Sequence, residues 1–236
     1  MSVLGNFLAS LKRFGAVKTL DVYWERATTR FHEWRLGIRT DAIVRLRDLG
    51  MDAPGRKDYA ATTYSGMRSI IRTIGFDVKD HVFLDLGAGM GRAMILAARF
   101  PFKGVLGVEV SPQLAEIAKE NIAKCRNKLA CQAIELVVAD AAGYRIPTSV
   151  TVVYCFNPFA GPVLKAVLDN ILVSLRAKPR ELWLVCNVPA GSSEFETEVH
   201  LRSWLVFIKA VALRGVPRCA IFRANLYQKI PSTLHR

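Results

Sequence analysis

Apolar positions follow two rhythms along this chain. In the first 47 residues they recur at helical spacing: Leu4, Phe7, Leu8, Leu11 and Phe14, then Trp24, Phe31, Trp34 and Leu36 as the apolar contacts of a mostly helical extension. Residues 48–59, DLGMDAPGRKDY, hold glycines, a proline and charges, and read as a loop. Residues 65–74 read as a short helix. From His81 onward, short apolar runs alternate with amphipathic segments. The runs 82–86, 104–110, 134–139, 150–156 and 181–188 read as buried parallel strands. Between them lie helices over 92–99, from Ser111-Pro112 and from Gly161-Pro162, the first of these pairs carrying an N-cap serine and a proline at the first helical position. The pattern then changes to a hairpin over 203–213 and 219–228. This order predicts an α/β fold, a doubly wound and mostly parallel sheet closed by an antiparallel hairpin, behind an N-terminal helical extension.

No run of 18 apolar residues occurs, which excludes a membrane-spanning helix. Hydrophobic residues make up 51% of the 236 positions and charged residues 22%, so a full core is available. The five cysteines form no C-x-x-C pair, and no histidine pair stands near them. A reduced, cytoplasmic setting without a metal site is the expectation. At the N-terminus Lys12 and Arg13 follow the apolar residues, unlike a signal peptide. Residues 4–18 read as a helix packed on the domain or, alternatively, as an interfacial anchor with Lys12, Arg13 and Lys18 on its polar side.

The chemistry concentrates in VFLDLGAGMGRA, with Asp85, Gly87, Ala88, Gly89 and Gly91 between a strand and a helix. Glycines here let a ligand approach the backbone and leave N–H groups free at the helix start. A dinucleotide G-x-G-x-x-G would need glycine where Arg92 stands, and no G-K-S or G-K-T occurs for a phosphate-binding loop. What remains is D-x-G-x-G-x-G at a strand end. Glu109 ends the next strand in GVEVS, Asp140-Ala141 ends the third in VVADA, and Asn157-Pro158-Phe159 ends the fourth.

With these residues in this order, residues 59–230 resemble the class I, seven-strand S-adenosylmethionine-dependent methyltransferases. The resemblance implies the strand order 3-2-1-4-5-7-6 and S-adenosylmethionine as cofactor. It implies Glu109 on the ribose hydroxyls, Asp140 and Ala141 beside the adenine, and Asp85, Gly87, Ala88, Gly89 and Gly91 around the remainder. It also implies domain limits of 1–58 for an extension or lid and 59–236 for the methyltransferase domain.

Asn157-Pro158-Phe159 resembles the acceptor loop of methyltransferases acting on amino groups, with the second proline missing. Tyr59 and Thr62 match a Tyr-x-x-Thr segment that some protein-lysine methyltransferases place over the cofactor. No histidine or lysine adjoins the Asn157 loop, and an amine needs no buried base. A protein amine, lysine, is therefore the favoured acceptor. An amino group of RNA or DNA is the alternative, with a small molecule a further one.

The charge of +13 is uneven. Residues 1–80 carry 14 basic and 9 acidic residues, residues 81–160 carry 8 and 6, and residues 161–236 carry 11 and 5. The excess flanks the expected cofactor half. It suits an acidic acceptor surface or a merely soluble basic one, and no block of five Lys/Arg marks a nucleic-acid arm.

Overall fold

The computed structural model describes residues 3–156, 159–187, 193–212, 219–224 and 226; within residues 3–18 it describes the side chains at 5, 11, 12 and 15–17 only, and at 193 the backbone alone. Asn157 and Pro158 lie outside the described residues, as do the predicted hairpin link and the far end of its second strand.

Seven strands form one sheet in the order β3-β2-β1-β4-β5-β7-β6. They are β1 (Val82–Leu86), β2 (Gly104–Glu109), β3 (Ile134–Val138), β4 (Val150–Phe156), β5 (Leu182–Asn187), β6 (Leu205–Val211) and β7 (Cys219–Ala224). The first five run parallel; β7 pairs antiparallel with both β5 and β6. β1 lies between β2 and β4, with Asp85 in register with Gly107 on one side and Tyr154 on the other. The chain reverses its direction of strand addition there, and ligands of such sheets bind at that point beyond the carboxyl ends.

Helices cover both faces. α1 (Val3–Leu36), kinked by non-helical backbone at Gly15, and α2 (Tyr64–Ile74) belong to the extension and its junction; α3 (Arg92–Ala98) and α4 (Pro112–Cys125) follow β1 and β2; α5 (Gly161–Ala177) and α6 (Ser193–His200) flank β5. Alternation along the strands splits the core in two. Phe83, Tyr154 and Val185 pack with Met67 and Ile70 of α2 and Met94 of α3. Leu84, Val153 and Leu184 pack with Leu168 and Ile171 of α5 and Phe195 of α6. Local chemistry sets the boundaries. Ser111 Oγ accepts from Leu114 N–H at 3.3 Å and Thr63 Oγ1 from Gly66 N–H at 3.2 Å, capping α4 and α2.

Two sequence expectations need correction. The extension is helical only to Leu36; Gly37 ends it at φ 75°, and the chain then runs irregularly to a short 3-10 turn at Leu46–Leu49. Trp24, Phe31 and Trp34 are not packing contacts: they stand 62%, 54% and 79% exposed, and only Leu36 of that set is buried. Periodicity identifies a face but not which face turns inward. Helix α6 is an addition, too short and polar to register as periodic.

Candidate cofactor cleft

Beyond the carboxyl ends of β1, β2 and β3 lies a cleft of about 610 Å³, counted to its open mouth. It is lined by Tyr59, Gly87, Glu109, Asp140, Ala141 and Phe159 of the predicted residues, with Val108, Val110 and Leu114 as apolar wall. Asp85, Ala88, Gly89, Gly91 and Thr62 are not among its lining residues.

Asp85 is buried at the end of β1, and burial together with the nearby Glu109 charge pushes its carboxyl up to about 8. Glu109 accepts from Gly89 N–H at 2.7 Å through Oε2 and from Ser111 N–H at 2.9 Å through Oε1. Burial raises its pKa, and those N–H groups offset part of the rise. The loop is thereby tied to the second strand, while each Glu109 oxygen keeps acceptor capacity for a further donor.

Gly89 sits at φ 53°, and a Cβ there would fall into the Tyr59 ring, which lies across the loop. Gly91 caps α3 at φ 84°, and its Cβ would meet Ala118 at 3.0 Å, so it serves helix packing. Ala88 is buried and donates its N–H to the Val108 carbonyl at 3.0 Å.

Thr62 is buried. Its hydroxyl accepts from Tyr154 O–H at 2.9 Å and its carbonyl from Arg92 Nη1 at 3.0 Å. Tyr59 donates its hydroxyl to the Thr40 carbonyl at 2.9 Å, and burial pushes its pKa well above the ordinary value. The matching pair therefore faces different partners: Tyr59 roofs the loop and Thr62 anchors that roof to the sheet.

Sequence reasoning missed three features. Arg56 ion-pairs with Asp140 at 2.7 Å across the cleft. Burial alone would raise the Asp140 carboxyl, but the Ala142 N–H and the Arg56 guanidinium outweigh it and hold it low. The same loop is strand-paired to the end of β4: Arg56 bridges Phe159, and Ala160 N–H donates to the Gly55 carbonyl at 2.8 Å. Second, Arg92 is buried at the first turn of α3. Its Nη2 meets Glu33 at 3.2 Å and Asp41 at 3.6 Å, its Nε donates to Thr40 Oγ1 at 2.6 Å, and its guanidinium lies over the Tyr64 ring. Third, Asn187 ends β5 in register with Phe156 and is 1% exposed, with both side-chain polar atoms unpartnered. No local signal marks Arg56 or Arg92, whose partners are distant in sequence, and Asn187 reads only as the end of an apolar strand.

The residues fit a cationic adenosyl cofactor. Asp85 and Glu109 are buried acids at adjacent strand ends with raised pKa values, the environment that a sulfonium and an ammonium would stabilise. No cluster of metal-binding side chains occurs among the described residues.

Residues 83–178 match a family model described as a methyltransferase domain. No curated protein matches the chain. Among solved structures, an RNA methyltransferase from Salinibacter ruber in complex with S-adenosyl-L-homocysteine superposes with a TM-score of 0.51 at 22% identity, covering 75% of this chain and 100% of its own. Magnesium protoporphyrin IX methyltransferase from Synechocystis, with bound cofactor, superposes with a TM-score of 0.50 at 14% identity, covering 68% of this chain and 78% of its own. A putative RNA methyltransferase from Pyrococcus horikoshii gives 0.50 at 17% identity, over 70% and 83%. With the strand order, the cleft and the matched segment in agreement, residues 83–178 form a methyltransferase domain on the seven-strand fold shared with these S-adenosylmethionine-dependent enzymes.

Proposed function

We propose that the enzyme transfers the methyl group to the amino nitrogen of a protein lysine, with residues 1–58 as a lid on a methyltransferase domain spanning 59–236. The observation that carries this reading is the wall of the cleft at the β4 end. Tyr59, Phe156 and Phe159 supply ring surface to this cleft, whose described lining holds no histidine but does hold Lys57, Asp58, Glu109 and Asp140. Ring faces attract a lysine ammonium and pack along its aliphatic stem. An amine can lose its proton to solvent, so none of these groups has to serve as its base.

When bound, S-adenosylmethionine supplies a methyl group already activated on a sulfonium. Glu109 would hold the ribose hydroxyls with its remaining acceptor capacity. Asp140 would face the adenine, with Ala141 packing on it, once Arg56 is displaced. Asp85 would ionise beside the cationic end, and the backbone of Gly87, Ala88, Gly89 and Gly91 would shape the bend around it. Asn157, Pro158 and Phe159 would hold the acceptor nitrogen, and the free amide of Asn187, in register with Phe156, offers a further donor and acceptor at the same strand ends. Holding methyl and nitrogen in line supplies up to ~7–11 kcal/mol.

A second reading, transfer to an amino group of RNA, is supported by the net charge of +13 and by RNA methyltransferases sharing the fold. A cytoplasmic setting is supported by the free, buried state of all five cysteines.

The test is incubation with methyl-labelled S-adenosylmethionine and a lysate divided into protein, nucleic acid and small-molecule fractions. Methyl-lysine in the protein fraction is the expected result; label confined to RNA or to small molecules overturns it. Asn157→Ala should lower turnover at least roughly tenfold while cofactor affinity stays within about twofold. Normal turnover by that variant removes Asn157 from the acceptor site.

A further inference from the structure

Helix α1 is assembled inside out. Thr19, Glu25 and Thr29 are buried against the domain, while Val17, Leu20, Trp24, Phe31 and Trp34 stand 54–79% exposed. The exposed positions are spaced three, four, seven and three residues apart, which places them in one stripe on the side away from the domain. Charges are sorted the same way. Glu25 accepts from Ser65 Oγ at 2.5 Å and Glu33 from Thr40 and Arg92, all toward the domain. Arg26, Arg30 and Arg35 face outward.

Beside the stripe runs a groove of about 1300 Å³, counted to its open mouth, between α1, α2 and α3. His32, Arg68, Arg72 and Arg99 line it, and no carboxylate does. Among the described residues none of these arginines makes an ion pair. Burial lowers the His32 pKa, and the charges of Arg99, Arg68 and Arg35 lower it further, as expected of uncompensated positive potential. The Phe31 ring meets the His32 ring edge-on at 5.7 Å, so stripe and groove are continuous.

We propose that this surface docks the protein on an anionic phospholipid membrane, the stripe entering the interfacial layer while Arg35, Arg68, Arg72 and Arg99 take headgroup phosphates. An apolar face bordered by cations is what an interfacial helix requires, and tryptophan suits that layer. Val17 and Leu20 have no ring to stack on a nucleic-acid base. Parallel self-pairing along the stripe would bring Arg30 of one copy toward Arg35 of the other, a repulsive contact. No described helix is long and apolar enough to cross a membrane, so the contact is peripheral.

The experiment is co-sedimentation of the full chain with vesicles of phosphatidylcholine alone and of phosphatidylcholine mixed with phosphatidylglycerol. The wild type should bind the mixed vesicles, release at high salt and show a blue-shifted tryptophan emission. Trp24→Ser/Phe31→Ser/Trp34→Ser should bind at least about tenfold more weakly. Arg68→Gln, Arg72→Gln and Arg99→Gln should each weaken binding about fivefold. Circular dichroism checks that the variants keep their helices. Absence of vesicle binding, or equal binding by the serine variant, overturns the proposal. So does a wild-type dimer that the serine variant converts to monomer, which assigns the stripe to a second copy. RNA oligonucleotide binding without vesicle binding overturns it as well.

Discussion

Two sets of acids stand on either side of the glycine-rich loop, and they differ both in burial and in where their cation is. On the extension side, Glu33 and Asp41 converge on Arg92, whose donors also reach Thr40 and the Thr62 carbonyl. That cluster is complete within the chain: it locks α1 and the segment before α2 onto the first turn of α3. On the sheet side, Asp85 and Glu109 are more deeply buried, yet they have only backbone N–H groups and each other, and burial lifts both pKa values. An acid buried with its cation is architecture. A pair of acids buried without one, at strand ends beside the cleft, is the environment of a candidate ligand site.

The largest effect expected from this contrast is on stability. Arg92→Leu strands the Glu33 carboxylate and should cost ~3–5 kcal/mol in chemical denaturation, because a buried charge loses its partner. A cost below ~1 kcal/mol would mean the cluster is solvated and the contrast false. Glu109→Ala should act on the other axis. It should weaken S-adenosylmethionine binding by ~1.5–3 kcal/mol in calorimetry, roughly 10- to 150-fold, with the fold retained. If it instead unfolds the protein while affinity per folded molecule is unchanged, Glu109 belongs with the structural acids. The smallest effect should come from Arg56→Ala. The Arg56–Asp140 pair is partly exposed, so its removal should change stability by less than ~1 kcal/mol. It should also tighten cofactor binding modestly, as Asp140 is freed; weakened binding would make Arg56 part of the cofactor site.

The sheet half was legible in the sequence because its function sits where the pattern changes. Asp85, Glu109 and Asp140 each follow an apolar run, so strand ends and candidate residues are read together, and the parallel register of β1 with β2 and of β2 with β3 brings them to the same end of the sheet. The extension was not legible for a physical reason. A 3.6-residue period is the same whether a stripe faces the core or the outside, and in α1 Trp24, Phe31 and Trp34 turned out to face outward. Long-range pairing was equally hidden. Arg56 reaches Asp140 across 84 positions and Arg92 reaches Glu33 across 59, with nothing local in either segment to announce the partner. Helix α6 escaped because Phe195 and Val199 are the only apolar side chains on its buried face among the described residues, with the charged Glu198 buried beside them.

The central claim, that Asp85 and Glu109 are held ready for a cationic cofactor, predicts a pH signature. A carboxyl whose folded pKa stands near 8, above its unfolded value, contributes stability that is complete below the unfolded pKa and lost as pH rises through about 8. The most direct measurement is the melting temperature of the wild type and of Asp85→Asn between mildly acidic and mildly alkaline pH, with and without saturating S-adenosylmethionine. The free wild type should lose stability as pH rises toward 8, Asp85→Asn should not show that loss, and the cofactor should flatten the wild-type slope by supplying the missing positive charge. A slope shared by the wild type and Asp85→Asn, or left unchanged by a cofactor that binds, would contradict the account.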